Sequence, residues 1–472
     1  MEESLEKLST RHSWCSVSRF LEENWPLGRV GHTAHALCVS CEHNGNRPLI
    51  IMIGGADTSE VFNEAFIFDI ISFKWYTVNV PQTIDFPSLG RYEHSSAILS
   101  SRELLIFGGA TKAGSLSQLL RLQIHCMSTV KDSSVCEVEQ ITASINQDHT
   151  NIQQFIHLPR TQHSSVSITE YDQLLVFSGG GVGSQTVADD KVYVYDSVTN
   201  LWNIIPVEGT PPCSRLGHLM LYEFPNQITS FNCERIPKGK MFIHGGMVNE
   251  ILLDDIYVLH FTSQVDNSSP FKGVWDKLYP ISELPPFTTS HDMVEDECKY
   301  LNSKSVGLAQ TASPVPRAAH GGTILTNKIH RLDNSKLLIF GGLSVNGALN
   351  DMFCFDTSVK QWTEINYDTS VLPSPRLDFA YCTFSLMVKK DTTENSSMKI
   401  ITKSLRENQF SDIADKNNHN NVTDEYCQEY LFIHGGMDTH GTVFNDAFLI
   451  LLSEFQLSNP INIRTIMDRN NS

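Results

Sequence analysis

Six short apolar runs punctuate the chain: Ile50 to Ile53, Leu104 to Phe107, Leu174 to Phe177, Met241 to His244, Leu337 to Phe340 and Leu431 to His434. Each is continuous rather than alternating, as a strand covered on both faces must be. Each runs into small residues, at Gly54-Gly55, Gly108-Gly109, Gly179-Gly180, Gly245-Gly246, Gly341-Gly342 and Gly435-Gly436. A double glycine lets the chain turn where side chains do not fit. In the third copy Phe177-Ser178-Gly179-Gly180-Gly181 leaves the register open by one residue. An arginine precedes every run (Arg29, Arg91, Arg160, Arg215, Arg317, Arg376), and in all but the last a histidine follows it three positions later; Phe379 stands there in the last.

The downstream half repeats as well. In the fifth copy Asn350-Asp351 leads into the alternating Met352 to Phe355, then Asp356, then Trp362. Asp356 reads as a turn starter, and Trp362 as a large apolar face on a last strand. The unit is therefore a four-stranded antiparallel sheet. Trp75, Trp202 and Trp275 hold the place of Trp362 in copies one, three and four, with Trp275 displaced downstream. Copy two has no tryptophan, and Cys136 in Val135-Cys136-Glu137-Val138 is the expected substitute. Nor has copy six one after Ile450, while Trp14, in Ser13-Trp14-Cys15-Ser16-Val17, stands alone before copy one. Trp25 lies too close to Arg29 to be that strand. The N-terminal strand is thus predicted to complete the last sheet.

A small sheet with two apolar faces needs like neighbours to cover them. These motifs resemble kelch repeats over nearly the whole chain. The expected fold is all-β, a single six-bladed kelch β-propeller over residues 10–455, its ring closed around Trp14. Blades are expected at about 28–80, 90–145, 159–207, 214–280, 316–366 and 375–455 plus 12–18. A hydrophilic, disordered insertion is expected at 389–428 and a tail at 456–472.

Composition narrows the function. A formal net charge of −18 without a basic cluster argues against nucleic acid. The apolar runs are too short to span a bilayer, and Met1-Glu2-Glu3-Ser4 is unlike a signal peptide. Eleven cysteines read as reduced cytoplasmic thiols. Cys38-x-x-Cys41 near His32, His35 and His43 has zinc-ligand spacing but lacks a second pair. The arginine and histidine series recur with the fold and read as structural, with arginine tying adjacent blades through backbone carbonyls. The acidic pairs Asp254-Asp255 and Asn350-Asp351 read as turn chemistry. No catalytic, cofactor or metal residues are expected.

Several segments resemble, within the kelch proteins, the kelch-motif effectors of a late-endosomal Rab GTPase. They are Arg29 to His32, Arg91 to His94, Pro159 to His163, Phe242 to Gly246, Gly347-Ala348-Leu349 and Arg376-Leu377-Asp378. The irregular second copy, the insertion in the sixth and the lone N-terminal tryptophan fit that resemblance. It implies a non-enzymatic effector that binds the GTP form of the Rab in endosome-to-trans-Golgi transport. It also implies peripheral placement on late endosomes and a phosphoinositide kinase as a further partner. The alternatives are a kelch scaffold for a kinase or cytoskeletal partner, and a metal-dependent kelch enzyme. Contacts are expected from the turns after the double glycines, at Asp57, Glu60, Ser344 and Asn346.

Overall fold

A computed structural model describes residues 14–17, 25–41, 45–79, 88–100, 103–125, 134–141, 144–145, 159–168, 171–181, 185–187, 189–224, 237, 239–263, 271–280, 313–325, 335–367, 371–390, 398–400 and 425–452. These residues form strands and turns arranged as a six-bladed propeller. Blade 5 shows the unit most simply: Gly321–Leu325, Lys336–Ser344, Gly347–Asp356 and Gln361–Glu364, each antiparallel to the next. Trp362 lies across from Phe355, which lies across from Leu337.

The same three-position register recurs around the ring. It joins Ile50, Phe68 and Trp75 in blade 1, and Leu174, Tyr195 and Trp202 in blade 3. In blade 4 it joins Met241, Leu259 and Trp275, so Trp275 is in register and its displacement belongs to a longer hairpin. In blade 2 the residue across from Leu122 is Val138, whereas Cys136 lies across from Ile124. The tryptophan position there is Val138, a correction of two residues, because neither candidate has a side chain that marks the place from sequence.

Trp14–Ser16 pairs antiparallel with the last strand, Ala447–Leu451, and Trp14 lies across from Ile450. The chain's beginning therefore closes its end. Trp25 adds a second clasp that was not expected: its indole N–H donates to the Asn445 carbonyl at 2.5 Å, and its ring meets Trp75 edge-on. Most of the 389–428 insertion lies outside the described residues. Its described parts extend the blade, since Met398–Ile400 pairs with Val388 to Lys390.

The core is distributed among the gaps between blades. One apolar cluster joins blades 6 and 1 through Phe432, Phe68 and Trp75, and another joins blades 5 and 6 around Trp14. Four more fill the remaining gaps. Each blade is thus useful only beside its neighbours, which is why the unit had to repeat.

Candidate functional site

The double glycines mark where backbone meets backbone. Gly341 and Gly342 have φ of 64° and 99°. A Cβ on Gly342 would lie 2.7 Å from both the Ala318 carbonyl oxygen and His320 Cβ. The second glycine's N–H donates to the carbonyl of the next blade's arginine, from Gly55 to Arg91 around to Gly436 to Arg29, at 2.8–3.1 Å. In blade 3 this glycine is Gly179, and Ser178 (φ 55°) takes the first position, so the pair sits one residue before Gly179-Gly180. Ser178 fits because its hydroxyl donates to the Arg215 carbonyl and accepts from the Arg215 N–H.

The arginine side chains turn the other way. Each is essentially fully buried, and its Nη1 donates to the carbonyl at the first glycine position of its own blade, at 2.8–3.2 Å. The bond between blades comes from the arginine backbone, which corrects the expectation that the guanidinium ties neighbours. Arg215, Arg317 and Arg376 also make two-point contacts with Asp255, Asp351 and Asp446, and Arg29 pairs with Glu64. Asp255 and Asp351 are arginine partners, where turn chemistry had been expected. Arg91 has the neutral Gln118 instead, and burial alone pushes it down to about 10. For Arg215 burial pulls the same way, but Asp255 more than offsets it.

Histidines fill the space left by the glycines. His94, His218 and His244 are each pushed down to about 3 by burial, then by nearby arginines, so they stand neutral. Two pairs share hydrogen bonds across gaps, His32 with His434 at 3.0 Å and His244 with His320 at 2.8 Å. His35 bonds the Ser96 hydroxyl at 2.7 Å. Cys38 and Cys41 both lie in the strand Thr33–Cys41, not in the turn a Cys-x-x-Cys knuckle requires, and His43 lies outside the described residues.

At the central mouth the sequence offers no common residue, yet the structure makes a closed circle. Gly31, Glu93, Gln162, Gly217, Ala319 and Asp378 each lie two positions after the arginine, with φ of 51–61°. Each N–H donates to the carbonyl of its counterpart in the blade before, at 2.7–3.1 Å, and Gly31 to Asp378 completes the ring. Gln162 Nε2 donates to the Glu93 carboxylate at 3.0 Å. Burial, then the charge of Glu93, pushes the Asp378 carboxyl up to about 7.

The raised pKa of Asp378 gives a signed expectation. A group whose pKa rises on folding contributes fully below its unfolded value, near 3.8, and loses that contribution as pH rises through 7. Asp378→Asn should therefore raise the melting temperature at pH 8 and leave it nearly unchanged at pH 4. Equal shifts at both pH values would show that the carboxyl does not titrate this way.

Around this mouth stand the turns that follow each double glycine. In blade 1, Thr58, Ser59 and Glu60 are exposed, and Asp57 accepts hydrogen bonds from the N–H groups of Ser59 and Glu60. Those bonds hold the Asp57 carboxylate below its usual range, so it braces its turn and keeps its charge. Asp438 does the same in blade 6, accepting from His440 and Thr442. In blade 5 Ser344 is buried, with its hydroxyl donating to the Gly347 carbonyl, so it shapes the turn and offers a partner nothing. Exposed beside it are Asn346 and Val345, the latter 84% accessible. Thr439 of blade 6 approaches the same turn at Gly347. The described turn tips hold Asp57, Glu60, Glu250 and Asp438 against Lys112, which makes this rim acidic with an apolar point at Val345. Asp57, Glu60 and Asn346 all lie on it, as expected from strand alternation.

Comparison with known proteins fits this geometry. The model of the Kelch motif matches residues 332–367, which hold the second to fourth strands of blade 5. The mouse Rab9 effector protein with kelch motifs is 26% identical over 438 residues, 90% of this chain and 90% of that protein. The Xenopus laevis protein of the same name is 28% identical over 236 residues, and that match spans about half of each chain (50% and 54%). The fission yeast Tip elongation aberrant protein 3 is 24% identical over 62% of this chain and 21% of its own length. With the kelch motif matched in one blade and the same unit repeated around a closed ring, this chain is a six-bladed β-propeller that carries a kelch motif, similar over nearly its whole length to the Rab9 effector proteins with kelch motifs.

Proposed function

We propose that this chain is a non-enzymatic effector whose post-glycine rim binds a Rab-family GTPase in its GTP form. It would act in endosome-to-trans-Golgi transport, held on late endosomes by that partner. The observation that supports this most is the match to Rab9 effectors over 90% of both chains. Among the described residues no helix is long and apolar enough to cross a membrane, so membrane attachment through a partner suits the chain. The physical logic is selection of one ordered state. GTP orders the switch loops of a GTPase, and a rim fixed by backbone bonds from blade to blade matches only that ordered shape.

The test is binding of purified chain to Rab9 loaded with a GTP analogue or with GDP. Tighter binding of the GTP form is expected, with Val345→Glu weakening it roughly tenfold or more, as loss of an interface anchor does. Val198→Glu, on the opposite rim, should leave it unchanged. Equal affinity for both nucleotide states would remove the effector reading. Partners that bind regardless of nucleotide would favour a general kelch scaffold.

A further inference from the structure

Among the described residues, three blades carry an extra strand on their outer edge, parallel to the blade's fourth strand. In blade 3 Ser144-Ile145 pairs with Leu201-Trp202. In blade 4 Val207-Glu208 pairs with Gly273-Val274, and the Gly273 N–H donates to the Pro206 carbonyl at 2.9 Å. In blade 1 Ser134-Val135, from the fourth strand of blade 2, pairs with Val78-Asn79. The molecule thus covers its own sheet edges, which would otherwise offer unpaired N–H and C=O groups.

Blade 5 differs. Among the described residues no strand lies outside Gln361–Glu364. Gln361, Thr363 and Glu364 are exposed, where Leu201, Asn203 and Ile204 on blade 3 are half-buried. The closing strand of blade 6, Trp14–Ser16, has no outer neighbour among the described residues either, but it is shorter and its residues are buried or half-buried. The ladder shows which groups on blade 5 face out. The Ile365 N–H donates inward to the Met352 carbonyl at 2.9 Å. Alternation then makes Thr363 and Gln361 the inward-bonded residues, leaving the N–H and C=O of Trp362 and Glu364 directed outward. Blade 3 has the same phase, with Ile205 donating inward to Val192 and Trp202 meeting the added strand.

We infer that the outer edge of blade 5 takes an extended segment of a partner protein as an added parallel strand. Backbone bonds at Trp362 and Glu364 hold the segment, and exposed Glu364 selects a basic residue at its C-terminal end. The surface is the outer wall, so the inference stands apart from the Rab reading and neither falls with the other.

The experiment is amide hydrogen exchange on the full chain, without and with the synthetic peptide Thr-Ala-Ser-Ile-Asn-Lys. That peptide copies the added strand of blade 3 from Thr142 to Asn146 and ends in lysine in place of Gln147, opposite Glu364 in the register of blade 3. In the free chain the Trp362 and Glu364 amides should exchange much faster than that of Trp202, and millimolar peptide should slow them. Glu364→Pro removes one outward N–H and no inward bond, so it should weaken peptide binding roughly tenfold at unchanged melting temperature. Should that variant misfold, Glu364→Lys keeps the backbone and should favour a peptide ending in glutamate over the original. Amides already protected in the free chain would mean that the chain covers its own edge, and would overturn the inference. So would absence of protection at millimolar peptide, or equal binding to wild type and both variants.

Discussion

Truncating Trp14 to alanine is expected to destabilise the protein by about 3–5 kcal/mol, the range for a buried tryptophan, and deleting residues 1–20 by more. Trp14 is 2% exposed, and its ring lies 4.9 Å from that of Phe340 and edge-on to those of Tyr367 and Phe448. Two of those partners belong to blade 5, so the residue joins blades as well as completing one. Deletion also removes the Val17 N–H bond to the Ala447 carbonyl and uncovers the edge of Ala447–Leu451. An open edge in an otherwise closed ring invites pairing between molecules. Thermal unfolding followed by circular dichroism, with sedimentation to detect aggregates, measures both effects. A truncated chain with an unchanged melting temperature would mean that the ring does not depend on this closure.

The second large effect is expected at the buried arginines, and it should differ between blades. Arg317→Ala leaves the partly exposed Asp351 and the Gly341 carbonyl without their shared donor, at a cost approaching about 3–5 kcal/mol, the range for a fully buried pair. Arg91→Ala orphans the Gly108 carbonyl and Gln118, both neutral, so about 1–3 kcal/mol is expected. The Asp351→Ala partner variant completes a cycle: the double variant should cost less than the sum of the two single ones. Denaturant titration reads all of these. Equal losses for Arg317→Ala and Arg91→Ala would show that the carboxylate contributes nothing, and that the carbonyl contact alone sets the cost.

Part of the site was legible because it rests on side chains. Asp356 behaves as the turn starter it was read to be, accepting from the N–H two residues on, and Asp69 and Asp196 do the same in blades 1 and 3. Asp57, Glu60 and Asn346 lie on one rim because strand alternation assigns rims without knowledge of side-chain contacts. Ser344 was misjudged because burial of a small polar residue in a turn is a property of its neighbours. Val345 stands in the same stretch, and only the packed turn shows that it, and not Ser344, is the side chain displayed.

Residue types alone were enough to show that six like units exist, that each is a four-stranded sheet, and that the last borrows a strand from the first residues. Those conclusions follow from apolar runs, glycine, aspartate and tryptophan, whose placement is enforced within one blade. Tertiary structure alone decided how the blades are joined. The ring through Gly31, Glu93, Gln162, Gly217, Ala319 and Asp378 is made of backbone N–H and C=O groups, which every residue but proline has, so no residue type marks it. The choice of Asp351 for Arg317 and Gln118 for Arg91, and of Ser178 for a glycine, likewise rests on groups that meet only after the blades have packed.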